Sequence, residues 1–261
     1  MIERTTPLFG CLVFDRDAIV RAALRAYVES WFADLPNGLW MPAAEIAWWT
    51  GDLNAGALLN DDGCGDYEVV AWTEAGVVGL GFDLGLGPIE QLDLPVDAVT
   101  GGPDDVRGAV PGLPGELEPA FVMAVGMLVV GNHGEKLAGA GFWLYGDRGG
   151  GTLFLADDLT LAWGTERLAA WGLLHNGRLL PLDCDPRPGA IVVDYTRPED
   201  VHFNAIIDAV VDRRLRGPTE LTPDELATLI VREPDPEKLL AVQRRLQEVG
   251  ITWPNSPQIP D

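Results

Sequence analysis

The sequence predicts an α+β fold: a mixed, mainly antiparallel sheet with flanking helices and a helical C-terminal part. Two observations lead to it. Strand-type segments rich in Val, Trp and Phe cluster between Tyr67 and Phe82, and three helical segments with clear start signals follow one another after Pro198. Strands grouped together, then helices grouped together, favour segregated layers over an alternating, doubly wound sheet. The expected organisation is an α+β domain over residues 1–195 and a helical subdomain over 196–261 packed on it.

In chain order, Leu8–Phe14 reads as a short apolar strand. From Asp17 to Ala33, Ile19, Val20, Leu24, Tyr27, Val28, Trp31 and Phe32 recur at steps of three and four, the period of an amphipathic helix, with Asp15 and Asp17 as candidate caps. Met41–Trp49, with Pro42 near its start, reads as a short helix leading into a polar loop from Thr50 to Asp66. Tyr67–Thr73 and Val77–Phe82 are separated by Glu74-Ala75-Gly76, the pattern of a hairpin. Gly85–Gly115 is dense in Gly, Pro and Asp and predicts a long surface excursion. Helix is expected again from Glu116 to Val130, then strands over Ala138–Tyr145 and Leu153–Ala156 joined by a flexible turn through Gly146–Gly151. A further helix opens at Thr165 and ends at Asn176-Gly177, and Ala190–Tyr195 reads as a strand. Helices beginning at Pro198, at Thr222-Pro223-Asp224-Glu225 and at Pro234-Asp235-Pro236-Glu237 complete the chain.

The hydrophobic content of 47% in 261 residues is ordinary for a packed protein. The apolar runs are too short for a membrane span, which needs about 20 residues. The start of the chain shows no basic region followed by a long apolar stretch. Cys11, Cys64 and Cys184 are odd in number and share no paired spacing, which suits a reducing compartment. A cytoplasmic protein without membrane attachment is therefore expected. Charge is the outstanding global property: 40 acidic residues stand against 18 basic ones, a net charge of −22. Nucleic acid is a poor match for such a field, because its phosphates require a basic footprint. A basic protein is a good match, since opposite fields accelerate encounter.

No linear motif specifies a reaction. His133, His175 and His202 form none of the zinc-binding spacings, so no metal is expected. Ser30 and Ser256 lie outside any nucleophile-elbow pattern, and the glycine clusters at Gly85–Gly87 and Gly146–Gly151 lack the phosphate-cradling arrangements, so no cofactor is expected. The expected contact residues are carboxylates in exposed loops, Asp61, Asp62 and Asp66 before the hairpin with Asp157 and Asp158 further on, beside Trp48 and Trp49. Acids would meet Lys and Arg of a partner while an exposed indole supplied apolar contact.

The segment Gly63-Cys64-Gly65-Asp66-Tyr67-Glu68-Val69-Val70-Ala71-Trp72 resembles the Gly-x-Gly-Asp-Tyr loop and following strand of the SUKH superfamily. The first helix lacks the leucine-proline, aromatic and Asn-Gly-Gly run of that pattern. The resemblance implies a bacterial immunity protein for a secreted toxin, and the charge of −22 with the absence of a catalytic motif makes stoichiometric occlusion of a basic toxin effector the expected mechanism. Two other classes are compatible with the residues: an enzyme without linear motifs using Cys64 or His133 with a nearby carboxylate, and a scaffold component using Gly85–Gly115 as an interaction loop.

Overall fold

The computed structural model describes residues 4–5, 15–33, 47–61, 67–82, 106–128, 138, 140–151, 200–230 and 235–256. The strand expected over Leu8–Phe14, the segment Met41–Ile46, most of the Gly85–Gly115 excursion, the strands at Leu153–Ala156 and Ala190–Tyr195 and the helix at Thr165–Gly177 lie outside them. The class is α+β. Among the described residues, a sheet of seven strands is accompanied by five α-helices. The chain divides into two compact units, one of Met1–Ala23 with Ile46–Asp194 and one of Leu24–Glu45 with Tyr195–Asp261. Helix α1 (Arg16–Ala33) contributes residues to both.

The first unit is built on a meander. Strands β2 (Ala47–Gly51), β3 (Gly56–Asp61), β4 (Tyr67–Thr73), β5 (Gly76–Phe82), β6 (Ala140–Tyr145) and β7 (Arg148–Gly150) pair in sequence order, and β1 (Arg4–Thr5) joins the far side of β7. Every neighbouring pair in this sheet is antiparallel. The hairpin expected at Glu74-Ala75 is present, with Thr73 opposite Gly76. A strand with one solvated face alternates apolar and polar residues, whereas Val69, Val70, Ala71 and Trp72 of β4 are all buried. Both faces of the sheet are therefore covered at its centre.

On one face, register aligns Leu59, Val69 and Leu80 in a row, and Ala57, Ala71 and Val78 in the next. Helix α2 (Glu118–Met127) packs over β3, β4 and β5 on this side, adding Ala120, Phe121 and Ala124 to the same buried cluster. Pro119 sits in its first turn, where the missing N–H has no partner to lose. On the opposite face, Gly79 lies beside Phe142, and a Cβ at Gly79 would come within 2.2 Å of the Phe142 ring. The ring occupies the room that a side chain would need.

Three segments differ from the sequence expectation. Ala47–Trp49 is part of strand β2, not the end of a helix, and the supposed loop from Thr50 to Asp66 contains β3. Aromatic and β-branched residues fit a pleated surface, and pairing of Ala47–Gly51 with Gly56–Asn60 outweighs the local helix signal of Pro42. The turn after β6 is also tighter than expected, Gly146-Asp147 alone, so that Arg148–Gly150 forms β7.

The second unit contains the later part of α1, helices α3 (Asp200–Arg216), α4 (Pro223–Leu229) and α5 (Pro236–Glu248), and a short parallel pair, β8 (Thr219–Glu220) with β9 (Ile251–Thr252). This pair departs from the sequence expectation of a wholly helical C-terminal part. The start signals are realised as capping. Thr222 accepts from the Glu225 N–H while the Glu225 carboxylate accepts from the Thr222 N–H, and Asp235 accepts from the Glu237 N–H. Burial tends to raise the Glu225 carboxyl, but its bidentate pair with Arg213, at 2.7 and 2.9 Å, and its bond from Thr222 hold it below the usual carboxylate range. Arg25 joins Glu29, Asp208 and Asn204, at 2.5, 2.9 and 3.1 Å, tying α1 to α3 within this unit.

Candidate functional site

Strand parity decides which loops of the first unit come together. In a meander, alternate turns lie at the same end of the sheet, so Asp52–Ala55 between β2 and β3, Glu74-Ala75 between β4 and β5, and Gly146-Asp147 between β6 and β7 share one end. The start of α1 is held at this same end. Asp15 caps the helix, its carboxylate accepting from the Ala18 N–H at 2.7 Å, and Arg16 reaches across to the turns.

Arg16 is the organiser of this corner. Its Nε donates to the Thr73 carbonyl at 2.7 Å, and its Nη2 donates to the carbonyls of Leu53 and Asn54 at 2.7 and 2.9 Å. Its Nη1 pairs with Asp17 at 2.6 Å. The β2–β3 turn is braced from inside as well. The Asp52 carboxylate accepts from the N–H groups of Asn54 and Ala55, and the Trp72 indole donates to the Asp52 carbonyl at 2.9 Å. Trp49 lies against Trp72 with ring centroids 4.9 Å apart and donates to the Gly51 carbonyl.

Between these segments opens a cleft of about 480 Å³. Its polar lining is Asp15, Arg16, Asp17, Asn54 and Glu74, and Ala75, Gly76, Leu144 and Gly146 complete it. Three carboxylates, of which Asp17 is paired with Arg16, share this lining with one guanidinium whose three nitrogens all donate within the protein. Asp52 and Asp147 add acidic charge on the neighbouring turns. Such a lining is suited to an ammonium or guanidinium group, which a carboxylate binds through charge-assisted hydrogen bonds. Among the described residues no group of three or more His, Cys, Asp or Glu is placed to hold a metal ion.

The sequence-selected contact residues are distributed differently. Asp61 is the last residue of β3, opposite Tyr67, and so belongs to the end of the sheet away from the cleft. Asp62, Asp66, Asp157 and Asp158 lie outside the described residues, as do Cys64 and His133 of the enzyme alternative. Trp48 and Trp49 are described and alternate in direction along β2: Trp48 is 43% exposed at the margin of the sheet, while Trp49 packs on Trp72. The acids that do converge, Asp15, Asp17 and Glu74, are legible in sequence only as helix-start and turn residues. Their meeting depends on strand order. Among the described residues, no helix is long and apolar enough to cross a membrane.

Comparison of the chain with protein-family models, with curated proteins and with solved structures gives no match.

Proposed function

We propose that this chain is an acidic binding protein that captures a basic protein partner, with Lys or Arg of the partner entering the cleft beside Asp15, Asp17 and Glu74. The observation that carries the reading is that cleft, a braced and acid-lined opening on a chain of net charge −22. Bracing matters because a preformed site loses less conformational entropy on binding than a loop that must be ordered. The resemblance of Gly63–Trp72 to the SUKH pattern supports a toxin effector as the partner and stoichiometric occlusion as the mechanism.

Asp17 has a side chain 88% exposed, and Glu74 is exposed at its turn, so Asp17→Lys and Glu74→Lys alter the field without emptying a core. The test is recovery of partners from native lysate by the wild type and by the double variant, at low and at high salt. The wild type is expected to retain a basic protein at low salt and release it at high salt, and the double variant to lose it at both. Recovery of no basic protein, or equal recovery by the two forms, overturns the proposal.

A further inference from the structure

We draw no further inference here: the strongest candidate, the exposed apolar stripe of Pro119, Val122 and Gly126 on the outer face of α2, has nothing among the described residues to show what covers it.

Discussion

Gly79 and Phe142 show how narrowly one residue is specified by its cross-strand neighbour. With a Cβ at Gly79 placed 2.2 Å from the Phe142 ring, Gly79→Ala forces the ring or the backbone to move. Overpacking of this kind is expected to cost about 1–3 kcal/mol. Urea midpoints of the single variants and of Gly79→Ala with Phe142→Leu check it, because the smaller partner should return part of the loss as a favourable coupling. Additive losses would remove the steric explanation. Tyr27 is governed by burial of its hydroxyl instead. Burial, reinforced by the Glu248 carboxylate and partly opposed by Arg245, pushes its hydroxyl above the ordinary tyrosine value. The folded protein then keeps a proton that the unfolded chain releases. This contribution to stability is fully present below about pH 10, the unfolded value, and declines as pH rises beyond it. Tyr27→Phe is expected to flatten the fall in stability on the alkaline side, measured by denaturant titration across that range.

At the scale of elements, the first turn of α1, the β2–β3 turn and the end of β4 are joined through one guanidinium. Lysine in its place keeps the charge but cannot present a planar fork to three carbonyls, so Arg16→Lys is expected to lower stability by about 2 kcal/mol. Hydrogen exchange at the Asn54 and Ala55 amides offers a local readout, since these bonds to Asp52 belong to the turn that Arg16 holds. Unchanged protection there would mean that the turn stands without the clamp. The same elements explain what the sequence discloses. Helix α1, the β4–β5 hairpin and the capped starts of α4 and α5 are announced by neighbours within a few residues: an apolar period, a short turn, a Thr-x-x-Glu box. Strand β2 is not, because Ala-Trp-Trp is too brief to reveal its period and only pairing with β3 settles it. Arg148–Gly150 carries a turn-like composition and becomes a strand through β6. The two-residue β8 and β9 find each other only after two intervening helices. The cleft is the extreme case. Asp15, Asp17 and Glu74 each look like ordinary surface acids until strand parity brings them to one end.

At the scale of the whole molecule, forty acids against eighteen bases make self-repulsion a standing cost of the folded state. Ions screen that repulsion over a Debye length of about 10 Å at 0.1 M. The thermal midpoint is therefore expected to rise between very low salt and about 0.15 M, as followed by circular dichroism. A fall instead would mean that screening mainly weakens attractive pairs such as Arg25 with Glu29 and Asp208.

The pairing of β1 with β7 also imposes an order of events on a growing chain. Arg4 and Thr5 are made before their partners Gly149 and Arg148, which follow only after the whole run from β2 to β6. Bringing such distant segments together carries the loop-closure entropy of the intervening chain, whereas the hairpins from β2 to β5 each close over a short connection. Strand β1, which precedes the meander in the chain, is thus among the last to be seated in the sheet. Until Arg148–Gly150 are made, its backbone N–H and C=O groups wait for a strand that does not yet exist.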